Sequence, residues 1–125
     1  MKKYLDIERI KLFLRDNFKE IQIAYIFGSA KDGVLKDGSD IDIALLLEKE
    51  YNIFLEFKIA DDLETLLKTN IDIIVLNKTN PILTHEVLRN GIRLFEREYE
   101  KRALFELSIF KFFLDNEYYL RKRNG

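Results

Sequence analysis

The 125-residue chain has no cysteine, which removes a disulfide framework, a thiolate zinc site and a cysteine nucleophile together. It has one proline, Pro81, and one histidine, His85. No internal repeat, low-complexity segment or linker divides it. Its uninterrupted apolar runs, such as residues 43–47, are far too short to span a bilayer. The opening Met-Lys-Lys-Tyr-Leu-Asp lacks the apolar core of a signal peptide, so a cytoplasmic protein is expected. Neither sign of charge prevails: 21 Lys and Arg face 22 Asp and Glu, for a net charge of −1. That balance argues against a broad nucleic-acid footprint.

What is present is enough for a core. With 47% hydrophobic and 13% aromatic residues, a chain of this length fits one domain that buries roughly two-thirds of its unfolded surface. Residues 3–18 carry Ile7, Ile10, Leu14 and Phe18 at helical spacing, and 21–27 reads as a strand stopping at Gly28-Ser29. Turn signals at Gly33 and Gly38 precede a second strand, 41–47. A helix over 52–68 follows, with Ile59, Leu63, Leu66 and Leu67 on one face and Asn70 as its stop. A third strand covers 71–76. Pro81 opens a helix over 82–89, Asn90-Gly91 closes it, and 92–95 is a fourth strand. From Glu96 to Arg121 the chain lacks Gly and Pro and predicts one long helix. The sum is an α/β (α+β) fold with a small mixed sheet of about four strands flanked by helices.

Two aspartates interrupt that apolar pattern. Asp40 and Asp42 open the second strand, although aspartate is a poor strand residue and a buried carboxylate is costly unless neutralised. Being two apart they share a face, beside Ala44, while Ile41, Ile43, Leu45 and Leu47 take the other. Asp72 interrupts the third strand in the same way. If these strands are neighbours, three carboxylates converge. Their repulsion and desolvation would raise their pKa values unless divalent cations sit among them, and hard oxygen ligands suit Mg²⁺. Two such ions could clamp an in-line phosphoryl displacement. Gly28 would let the backbone approach a phosphate, and Ser29 would donate to it.

Gly28-Ser29, ten intervening residues, and Asp40-Ile41-Asp42 resemble the signature of the nucleotidyltransferase superfamily of DNA polymerase β, and more closely its minimal (MNT-domain) members. Ser39, Asp72 and the run Asn90-Gly91-Ile92-Arg93-Leu94-Phe95 are also similar. The likeness covers most of residues 20–96. It implies a polymerase-β-like nucleotidyltransferase fold over 1–125, with 96–125 a C-terminal helix and basic tail. It further implies ATP as substrate with two Mg²⁺, Mn²⁺ being an alternative. Asp40, Asp42 and Asp72 would be catalytic and metal-binding; Gly28, Ser29, Lys31 and Ser39 would bind nucleotide. Family members often carry a basic residue directly before the glycine matching Gly33, whereas this chain has Asp32 there and Lys31 one position earlier.

Many small proteins of this type are antitoxins paired with a HEPN-domain ribonuclease toxin. The resemblance therefore implies AMP transfer to a toxin tyrosine, within a hetero-oligomer and without direct nucleic-acid binding. Two alternatives stand beside it: neutralisation by stoichiometric contact, and modification of a small molecule such as an antibiotic. A calcium loop over 37–48 fails because Asp42 occupies the place that needs glycine. His85 reads as a partly exposed helix residue without a role. In the last helix Ala103, Leu107, Phe110 and Leu114 form one stripe, with Phe105, Ile109, Phe112 and Phe113 beyond it. This apolar width fits either a helix wrapped into the core or a surface for the partner. The Arg121-Lys122-Arg123 tail is either solvated or a contact for an acidic partner or RNA.

Overall fold

In the computed structural model, residues 3–50 and 52–124 are described, the side chains of 123 and 124 excepted. Arg123 of the basic tail thus lies outside the described side chains. The sheet forms where the β-branched runs lie. Strands β2 (Ile21–Phe27), β4 (Ile41–Leu47), β5 (Ile71–Val75) and β6 (Ile92–Glu96) join in the order β5-β4-β2-β6. β4 and β5 run parallel, while β2 is antiparallel to both β4 and β6. This is the mixed four-stranded sheet expected from the sequence.

One face of the sheet is covered by α1 (Ile7–Asn17) and α2 (Ile53–Leu67). Ile10 and Leu14, with Ile59 and Leu63, are buried there against Ile26, Ile41, Ile43 and Leu45. On the opposite face Ile23, Tyr25 and Ala44 meet Val87 of α3 (Pro81–Asn90) and the half-buried Phe105 of α4 (Tyr99–Asp115). β4 therefore divides its side chains as its alternation predicts.

Several boundaries depart from the sequence reading. The first helix begins at Ile7, because the Asp6 carboxylate accepts the Arg9 N–H and caps it. Lys3 and Tyr4, expected inside that helix, form β1 and pair antiparallel with β3 (Val34–Leu35). α2 is capped by Asn52, whose Oδ1 accepts from the Phe54 and Leu55 N–H groups. It stops at Lys68, in the left-handed region at φ 54°, before Asn70 is reached. The long final helix is also interrupted. Glu96 ends β6, and the Asn116 backbone N–H and side-chain Nδ2 both donate to the Phe112 carbonyl, separating α4 from α5 (Glu117–Asn124).

The two apolar sets of α4 separate between solvent and the fold. Leu107, Phe110 and Leu114 are exposed, whereas Phe105, Ile109, Phe112 and Phe113 are half-buried. α4 docks on α3 through Phe113 and the edge of the exposed Phe110: the His85 ring stacks on Phe113 at 3.9 Å between centroids and meets Phe110 edge-on. No residue of α4 is fully buried, which overturns the core-wrapped reading.

Candidate active site

The end of the sheet where β2 finishes and β4 begins gathers the polar residues singled out from the sequence. Phe27, the last residue of β2, is in register with Asp42. The chain then turns at Gly28, φ 72°, into a short 3₁₀ turn, Gly28–Asp32. A Cβ built on Gly28 would overlap the Asp42 carboxylate at Oδ2 and press on its Cγ. Only a residue without a side chain fits there, and only glycine takes that φ without strain. The backbone of the turn thus packs directly on the carboxylate.

From the other side Asp42 is in register with Asp72 across the parallel β4–β5 pair, which sets the two side chains on one face of adjacent strands. Ala44 is buried beside them. Asp42 is half-buried, while Asp40 and Asp72 are exposed. Burial pushes the Asp42 carboxyl above the usual carboxylate range, and the charges of Asp72 and then Asp40 push it further. The charges of Asp40 and Asp72 therefore reach Asp42.

Among the described residues no three Asp, Glu, His or Cys side chains are drawn close enough to hold a metal ion by themselves. Mg²⁺ commonly takes one or two carboxylates and completes its shell with water and substrate phosphates. The mutually repelling, acceptor-only donor set around Asp42 fits an ion of that kind.

Ser29 is exposed on the turn after Gly28. Lys31 is held at the protein surface: its Nζ donates to the Asn90 carbonyl at 2.6 Å and ties the turn to the end of α3. Gly91 supports the same junction, since a Cβ there would come within 2.6 Å of the Val87 carbonyl oxygen and 3.2 Å of that of Ile26. The Asn-Gly pair thus braces the turn from behind, a role the sequence pattern does not reveal.

Ser39 is half-buried just ahead of β4. Its N–H donates to the Lys36 carbonyl, and with Asp40 it lines a groove of about 450 Å³ between the approaches to β4 and β5.

A polar clasp missed by periodicity joins the sheet to α4. The Tyr25 hydroxyl donates to Glu106 Oε2 at 2.8 Å, and Arg102 donates to both Glu96 and Glu106. Arg93 lies 3.6 Å from Glu106. Burial pushes the Tyr25 phenol far above its usual range, with Glu106 adding to the effect. Spacing alone offers no signal for this group, because its members come from three separate elements.

Residues 8–100 match the polymerase beta nucleotidyltransferase family. The chain is 31% identical over 91 residues to the protein adenylyltransferase MntA of Shewanella oneidensis, a match covering 73% of this chain and 66% of that relative. Among solved structures, a toxin–antitoxin complex with AMP-PNP contains a chain that superposes with a TM-score of 0.77 at 24% identity, over 97% of this chain and 100% of that one. A complex of a tri-AMPylated Shewanella oneidensis HEPN toxin with its MNT antitoxin contains one at 0.70 and 23%, over 95% and 96%. These two structures share the fold.

Proposed function

Because this chain belongs to the nucleotidyltransferase family of polymerase β, we propose that it is an antitoxin-type adenylyltransferase. In this reading it moves AMP from ATP to a tyrosine hydroxyl of a cognate HEPN toxin, repeatedly on one acceptor, as a single cytoplasmic domain within a hetero-oligomer. The observation that carries it is Asp42, wedged between the Gly28 turn and Asp72 with its carboxyl pushed up by burial and by its acidic neighbours. A carboxylate kept in so unfavourable a place indicates chemistry. The 31%-identical relative is named a protein adenylyltransferase.

The backbone at Gly28 and the exposed Ser29 hydroxyl would seat the triphosphate beside Asp42. Asp40 and Asp42, with Asp72 beside them, would hold Mg²⁺, which supplies charge neutralisation on the triphosphate and on the departing pyrophosphate. Asp72, exposed at the outer strand β5, would orient the acceptor hydroxyl and take its proton. Most of the rate would come from positioning and electrostatics. Lys31, engaged with Asn90, would hold the shape of the turn, and Ser39 would act from the groove beside Asp40. The exposed side of α4, presenting Leu104, Leu107 and Leu114, would receive the toxin. Incubation with α-labelled ATP, Mg²⁺ and the HEPN partner tests the reading: label should enter the partner, and Asp42→Asn should abolish its entry.

A further inference from the structure

We propose that Glu64 of α2 is a positioning residue for Asp72, fixing the peptide unit that leads into that carboxylate. The inference rests on the adenylyltransferase reading above, in which Asp72 orients the acceptor hydroxyl, and it adds a residue on which that orientation depends.

Asp72 is the second residue of β5, an outer strand of the sheet. An outer strand is paired along one side only, and strand ends are the first parts of a sheet to open. Both hydrogen-bonding groups of the peptide unit joining Asn70 to Ile71 are nevertheless held. The Asn70 carbonyl accepts the Ile41 N–H of β4 at 3.0 Å. The Ile71 N–H donates instead to Glu64 Oε1 at 3.2 Å. Successive peptide groups of a strand turn to opposite edges, so this N–H is on the side of β5 that no further strand covers. A helix side chain thus supplies the acceptor that a neighbouring strand would otherwise provide, and without it the N–H has no protein partner.

The rest of the junction fastens the same residue. The Ile71 side chain is buried in the core cluster that contains Ile59 and Leu63 of α2. α2 ends at Lys68, whose φ of 54° is the only non-glycine left-handed position among the described residues. Such a position usually falls to glycine, and here it returns the chain to the sheet so that Glu64, one turn back in the helix, meets the start of β5.

Asp72 depends on this anchorage more than Asp42 does. Asp42 is half-buried in an inner strand, against the Gly28 turn. The Asp72 side chain is exposed and makes no hydrogen bond or ion pair among the described residues, so its backbone alone sets where the carboxylate stands. A displacement of about 1 Å at a reacting group costs on the order of 10² in rate. Glu64 touches neither nucleotide nor acceptor in this account and acts only through Asp72.

The test uses the full chain and three substitutions. Glu64→Gln keeps an oxygen acceptor at the same reach and removes the charge. Glu64→Asp keeps the charge and withdraws the acceptor by one methylene. Asn52→Ala removes the cap at the far end of α2 and weakens the helix without touching β5. AMP transfer to the HEPN partner is followed by intact mass at saturating ATP and Mg²⁺, ATP affinity by calorimetry with Mn²⁺, and the Ile71 amide by hydrogen exchange. Glu64→Asp should lower the saturated rate by about tenfold to a hundredfold, keep ATP affinity within about twofold, and speed exchange at Ile71. Glu64→Gln should retain both rate and protection, and Asn52→Ala should keep the wild-type rate despite a lower melting temperature. A full rate in Glu64→Asp, a loss in Glu64→Gln as large as that in Glu64→Asp, or an equal loss in Asn52→Ala overturns the proposal and leaves the adenylyltransferase reading standing. A wild type that transfers no AMP overturns that reading, and this proposal with it.

Discussion

Gly28 has no room for a side chain because the Asp42 carboxylate fills the space where a Cβ would stand. Gly28→Ala must either move the turn or push Asp42 aside, and it also places alanine at φ 72°, at a cost of about 1–2 kcal/mol. We expect a folded protein with a lowered melting temperature that no longer binds ATP in the presence of Mn²⁺. Calorimetric titration beside thermal denaturation checks both. Unchanged nucleotide affinity would disconnect the turn from the site.

Asp42 sets a dependence of stability on pH. Burial, then Asp72, then Asp40 raise its folded pKa above the unfolded value, so the folded state holds that proton more tightly. The associated stabilisation is present in acid and is lost as pH rises through the raised value. Asp42→Asn removes the penalty. In the absence of divalent ions its melting temperature should match the wild type in acid and exceed it increasingly toward neutral pH. A difference that stays constant with pH would contradict the repulsion argument.

Much of this was legible in the sequence, for reasons that differ by element. Residues 21–27 and 41–47 were readable as strands because an apolar, β-branched run between turn signals has few other structures open to it. Asp40, Asp42 and Asp72 stood out by breaking such runs. The pairing of residues 3–4 with 34–35 was not legible, since two-residue strands carry no periodicity. Which face of α4 turns inward was not legible, because aromatic residues crowd several sides of that helix and the choice depends on His85 and α3, which sequence spacing does not place. Lys31 and Asn90 meet across residues far apart in the chain, and nothing local marks that contact.

The exposed side of α4 should separate partner binding from stability. Leu107 and Leu114 are 63% and 75% exposed, so replacing both with Asp should alter folding stability by no more than about 0.5 kcal/mol each. It should still weaken capture of the HEPN partner by tenfold or more. Size-exclusion chromatography of the mixed proteins reads the second effect and denaturant titration the first. An intact complex would move the interface elsewhere.

The clasp between β2 and α4 predicts a milder change. Tyr25→Phe removes the donor to Glu106 and leaves that carboxylate to Arg102 and Arg93. A loss of about 1 kcal/mol is expected. Arg102→Ala removes partners from both Glu96 and Glu106 and should cost more. Urea titration of the two variants gives the order, and the reverse order would contradict this assignment of roles.

Catalysis and contact are distinguished most directly by stoichiometry. One part of this protein is mixed with a large excess of the HEPN partner, ATP and Mg²⁺, and the partner is followed by intact mass and by ribonuclease activity. An adenylyltransferase turns over, so the whole excess should gain AMP and fall silent, while Asp42→Asn, stripped of a charge worth on the order of 10² to 10³ in rate, should leave it unmodified on the same timescale. Silencing that tracks a fixed ratio, proceeds without ATP and leaves the partner's mass unchanged would contradict the account.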